Sequence, residues 1–109
     1  MTDRELLEAA AKAADYCVLP FYGRNDGKLY FASGDEFNPL TDDGDALRLA
    51  CDLGLRIFPI ARTETGAACS AIGSVTGERI SEVRDSSIDT RTATRRAIVR
   101  AAAAIGSKA

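Results

Sequence analysis

The stretch FNPLTDDGDALRLACDLG, Phe37 to Gly54, sets three aspartates, a glycine and a proline close together ahead of an amphipathic run. Two readings compete: a carboxylate cluster built for a metal or for catalysis, and the start of a helix. From Asp42 onward, Ala46, Leu47, Leu49, Ala50, Cys51 and Leu53 cover one broad helical face, and Asp45, Arg48 and Asp52 cover the other. Thr41 is placed as the N-cap, with Asp42, Asp43 and Asp45 in the first turn. There each carboxylate meets the positive end of the helix dipole and stabilises the helix by roughly 0.3–1 kcal/mol. Gly54 follows as the C′ glycine, and Phe37 and Leu40 are positioned to staple onto the first turns. A calcium loop would need alternating aspartates and a later glutamate; the order here is D-D-G-D without it. Adjacent aspartates on a helix point in different directions. The spacing therefore predicts a capped helix and no metal site.

Upstream, Thr2 and Glu5 form a capping box ahead of LLEAAAKAA, which predicts a helix over about residues 3–14. YCVLPFY and KLYFA are rich in strand formers and are separated by Asp26-Gly27, a hairpin turn signal. The two strands are expected at about residues 16–22 and 28–32, with Pro20 confining the first to an edge or ending it. Downstream, LRIFPIAR reads as a buried strand over residues 55–62. AACSAIGSV and ERISEVRD supply two more strands after turns at TETG and Thr76-Gly77. Asp89 caps a final helix, TRTATRRAIVRAAAAIG, closed by Gly106, with Ala97, Ile98, Ala101, Ala104 and Ile105 facing the core. The order αββαβββα points to one α+β domain over residues 1–109, with an antiparallel or mixed sheet.

Composition narrows the chemistry. The chain has 109 residues, 46% of them apolar, many of them alanine, which suits close helix packing. It has no histidine, which removes Ser-His-Asp and Cys-His hydrolases and the usual zinc ligand. Cys17, Cys51 and Cys69 are far apart, without CxxC spacing, and are expected to be reduced, buried and structural. GRNDG and GSVTG are neither a P-loop nor a dinucleotide fingerprint, and no cofactor or catalytic group is expected. No apolar run is long enough for a membrane span, and the N-terminus has no signal-peptide core, so a cytoplasmic protein is expected. Charge is uneven: residues 1–54 carry eleven acids and five bases, residues 55–109 five acids and nine bases.

Phe37–Gly54, with an aromatic at its head, and the helix TATRRAIVRAAAAIG, Thr92–Gly106, resemble the phage ABA sandwich domain family of small phage and prophage proteins. The LLEAAAKAA helix followed by a hairpin fits the same pattern. The resemblance implies a single-domain α-β-α sandwich with three helices and about four to five strands, helices covering both faces of the sheet. It implies a phage-encoded accessory protein in the host cytoplasm and brings no catalytic mechanism.

These readings favour a non-enzymatic protein that binds a host or phage protein. The candidate surface is the acidic segment with Asp35, Glu36, Asp43 and Asp45, whose charges imitate a row of phosphates and suit a basic groove, such as that of a host defence or nucleic-acid machine. The alternative is direct nucleic-acid binding through Arg91, Arg95, Arg96 and Arg100 of the last helix. Those arginines fall on two edges of the polar face around Val99, a placement that also suits stems lying over apolar surface.

Overall fold

The computed structural model describes residues 2–20, 28–63, 66–73, 79–85 and 88–107; between 60 and 85 it describes backbone alone, Val83 excepted. The elements run α1 (Asp3–Ala13), β1 (Val18–Pro20), β2 (Leu29–Phe31), α2 (Asp43–Leu53), β3 (Leu55–Thr63), β4 (Gly66–Gly73), β5 (Arg79–Asp85) and α3 (Thr90–Ser107). This is the predicted order. The predicted turns at Asp26-Gly27 and Thr76-Gly77 lie outside the described residues, as do Glu64 and Thr65 of TETG.

Thr2 caps α1 as predicted, its hydroxyl accepting the Glu5 N–H at 3.2 Å. The helix stops where Asp15 takes φ 60°, a left-handed conformation that aspartate tolerates better than most residues. The cap of α2 is Asp42 rather than Thr41. Thr41 and Asp42 both donate their N–H to the Asn38 carbonyl, in a turn that also holds Pro39, at 3.2 and 2.9 Å. That turn leaves Asp42, with φ −111°, as the extended residue before the helix. Its Oδ1 accepts the Gly44 N–H at 2.8 Å and the Asp45 N–H at 3.4 Å. Gly54 ends α2 in the left-handed region at φ 65°, as its position predicts.

Among the described residues the five strands form two antiparallel sheets, not one. β1 and β2 make a two-stranded ribbon with Leu19 opposite Tyr30. β3, β4 and β5 make a three-stranded meander, with Phe58 opposite Ser70 and Ser70 opposite Glu82. The expected sheet of four to five strands is thus corrected. The described part of β1 is three residues, Val18–Pro20, and α2 separates the ribbon from β3.

The last helix is the centre of the molecule. Ala93, Ala97 and Ala101 of α3 pack on Val83 of the larger sheet, with Leu55 and Ile57 beside them. Ile98, Val99 and Ala102 pack the other way, onto Ala10 of α1 and Ala46, Leu49 and Ala50 of α2. On β3, Arg56 and Phe58 alternate with Leu55 and Ile57 and are exposed, Phe58 to 52%. Among the described residues the helices thus gather on one side of the larger sheet, and the arrangement with helices on both faces is not formed. Gly106 does not close α3, which runs on to Ser107. It lies where α3 crosses α1: a Cβ built on it would meet the Ala9 carbonyl oxygen at 2.0 Å. Ala104 and Ile105 are only half-buried, while Val99, assigned to the polar face, is fully buried.

Candidate functional site

The aspartates of the opening stretch have separate destinations. Asp42 caps α2. The exposed Asp43 pairs across to Arg95 of α3, Oδ1 to Nη1 at 2.5 Å. Asp45 turns inward and is 7% exposed. Its Oδ2 accepts the Asn38 N–H at 3.0 Å, and its Oδ1 pairs with Arg48. Asp45 is thus buried rather than on the surface, and it clamps the loop before α2 to the helix. Asp35 is exposed and accepts from the Ser33 hydroxyl at 3.1 Å. Glu36 is half-buried, bridged to Tyr30 by backbone, and accepts from the Asn38 amide at 3.4 Å. No group of three or more potential metal-ligating side chains converges among the described residues.

On one flank of α2 lies a groove of about 380 Å³ between α2, β3 and the first turns of α3. Ala46, Ala50, Ile57, Pro59 and Ile98 give it apolar walls, and Leu47 stands at its margin, 64% exposed. The Asp43–Arg95 pair, Thr90, Thr94 and Arg91 supply its polar border. The sequence placed Leu47 on the apolar face of α2, and so concealed its exposure. The groove needs β3 and α3 brought against α2, which no local pattern encodes.

The four arginines of α3 do not act together. Arg95 is largely enclosed: besides Asp43 it donates Nε–H to the Leu40 carbonyl at 2.9 Å and Nη2–H to Thr92 Oγ1 at 3.1 Å. Arg96 is half-buried. Arg91 is exposed at the groove, and Arg100 borders a separate depression with Leu6, Ala103 and Ser107. Asp89 caps α3 as predicted, accepting the Thr92 N–H at 2.8 Å. Hydrogen bonds from the Thr92 hydroxyl and N–H, with help from Arg95 and Arg91, hold its carboxyl below the ordinary range.

The other flank of α2 faces an aromatic cluster that sequence reading did not assemble. Tyr16, Phe31 and Phe37 meet edge to face, with ring centroids 5.7–5.8 Å apart. With Asp45, Arg48 and Asp52 they line a cavity of about 170 Å³. The Tyr16 hydroxyl donates to Asp52. Burial, then this hydrogen bond and the charge of Asp52, push the Tyr16 phenol up to about 12. The alternation of acids on α2 carried part of this signal, since Asp45, Arg48 and Asp52 share a helical face; the aromatic partners come from three other segments.

Cys17 and Cys51 are free and exposed, which corrects the expectation that they are buried; the side chain of Cys69 lies outside the described residues. No helix among the described residues is long and apolar enough to cross a membrane. Comparison with protein-family models, curated proteins and solved structures found no match to this chain.

Proposed function

We propose that this chain is a small phage- or prophage-encoded accessory protein that works in the host cytoplasm by binding a host or phage protein, and not by catalysis. The observation that carries the reading is the apolar groove with Leu47 exposed at its margin and charged groups along its border. An apolar centre with a polar rim is the ordinary anatomy of a protein interface. The one acid on this border is engaged in structure: Asp43 pairs with Arg95. The chain has no histidine, the usual general base.

The acids supply the second half of the reading. Asp35, Asp42 and Asp43 remain exposed, and the Asp45 clamp holds the loop that leads into α2. A loop fixed before binding loses less entropy when it binds. The exposed charge of Asp35 and Asp42 on this segment favours a partner with a basic surface, and an inhibitor of a host defence or nucleic-acid machine is the narrower form of this proposal. The arginine-helix alternative has less support, because Arg95 is spent inside the fold.

The test starts from affinity capture in a bacterial lysate, followed by purification of the captured partner and measurement of binding by surface plasmon resonance. Leu47→Asp, at an exposed position, should leave the fold within about 0.5 kcal/mol of the original and weaken binding at least about tenfold. Association should also slow as salt rises. Unchanged affinity of Leu47→Asp would reject the groove.

A further inference from the structure

We propose that the cavity between the aromatic cluster and α2 binds a small organic ammonium ion. It is independent of the groove: its α2 residues are Asp45, Arg48 and Asp52, whereas the groove takes Asp43, Ala46, Leu47 and Ala50 from the opposite flank. Three observations select the charge of the ligand. The walls are three aromatic rings, whose faces attract cations through their quadrupoles. Of the two carboxylates, Asp45 is balanced by Arg48. Asp52 is exposed and accepts the Tyr16 hydroxyl, and among the described residues the Arg48 in the same lining pairs with Asp45 and not with it. The cavity therefore carries one unbalanced negative charge beside aromatic walls. An anion would be repelled, and a neutral apolar group would leave that charge unanswered.

Size sets the rest. At about 170 Å³ the space has room for an ammonium headgroup. A hard divalent cation would want more carboxylate oxygens than converge here. Tyr16 keeps its proton well past neutral pH, so its ring stays an uncharged wall and its hydroxyl goes on orienting Asp52. The ammonium can belong to a free methylated amine or to a lysine side chain presented by a polypeptide.

The experiment titrates the 109-residue chain with four compounds and follows the ring protons of Tyr16, Phe31 and Phe37 by NMR. The compounds are choline, its neutral carbon isostere 3,3-dimethylbutan-1-ol, N-acetyl-lysine methylamide, and the corresponding norleucine amide as neutral control. Saturable shifts are expected with at least one cation, at a dissociation constant on the order of millimolar, and at least about tenfold weaker binding of its neutral counterpart. Tighter choline binding assigns the site to free amines, and tighter lysine amide binding assigns it to a polypeptide side chain. Asp52→Asn keeps an acceptor for Tyr16 and should weaken cation binding about tenfold. Phe31→Leu, checked for an unchanged circular dichroism spectrum, should do likewise. Equal binding of a cation and its neutral counterpart, or no saturable shift with either cation, overturns the proposal. Leu47→Asp should leave these titrations unchanged.

Discussion

Gly106→Ala is the sharpest test of how the helices pack. On an isolated helix this change stabilises, since alanine is favoured over glycine by about 0.8–1.0 kcal/mol. In this fold the added methyl would stand 2.0 Å from the Ala9 carbonyl oxygen, 3.0 Å from the Ala9 carbonyl carbon and 3.3 Å from the Ala13 nitrogen. All three are backbone atoms of α1, so no side chain can swing aside. To restore even a 3.0 Å contact, α1 and α3 must separate locally by about 1 Å. That loosens the packing of Ala10 and Ala11 on one helix against Ala102 and Ala103 on the other, all nearly inaccessible to water. Overpacking of this kind costs about 1–3 kcal/mol. Taking about 3 for a clash with fixed backbone, less about 1 for propensity, the expected net loss is about 2 kcal/mol. Urea denaturation followed at 222 nm should then show the midpoint falling by about 1.3 M, for a slope of about 1.5 kcal/mol/M. Ala9→Gly should not rescue the variant, because the obstruction is main chain. Gly44→Ala is the control: its Cβ would meet only side-chain atoms, Asp42 Oδ1 at 3.3 Å and the Arg48 guanidinium at 3.8 Å, and stability should change little. A Gly106→Ala protein as stable as the original would refute the close crossing.

Two further outcomes follow from the caps and the Tyr16 phenol. Asp42→Ala should destabilise by about 1 kcal/mol and Thr41→Ala by much less in the same urea assay; the reverse ranking would return the cap to Thr41. Tyr16 should titrate near 12 by its absorbance at 295 nm, and Asp52→Asn should bring it closer to the ordinary value of 10. Because the folded pKa lies above the unfolded one, the associated stability is present below about 10 and is lost as pH climbs through about 12. A Tyr16 transition at 10 in the folded protein would remove the Asp52 contact.

The parts of the fold written in short-range signals were legible. Thr2, Asp89 and Gly54 mark helix ends by chemistry that operates within one turn, and each does what its position predicts. Asp42 displaced Thr41 by one residue because the turn at Asn38 and Pro39, not the helix, decides which residue is extended. Tertiary packing overrode the rest. Val99 sits among arginines in sequence, yet α3 is covered on more than one side, and a helical wheel drawn for a single buried face misassigns it. Gly106 matches the sequence signature of a helix stop, and only the approach of α1 shows that its missing side chain matters more than its freedom of φ. The acidic segment was legible as charge but not as structure. Asp45 differs from Asp43 in nothing local except the side of the helix on which it falls, and that side decides between clamp and surface.

The central position of α3 also governs how the chain reaches its folded state. α3 contacts both other helices and all three strands of the larger sheet, and its tightest crossing joins Gly106 to Ala9, from opposite ends of the sequence. Contacts that distant form only after most of the chain entropy has been lost, which slows folding. During synthesis the apolar faces of α1 and α2, and Leu55, Ile57 and Val83 of the larger sheet, must wait, uncovered, for α3 to emerge. Chains interrupted before residue 90 would lack the wedge that the other elements share, and would be substrates for chaperones and proteases rather than partly working proteins.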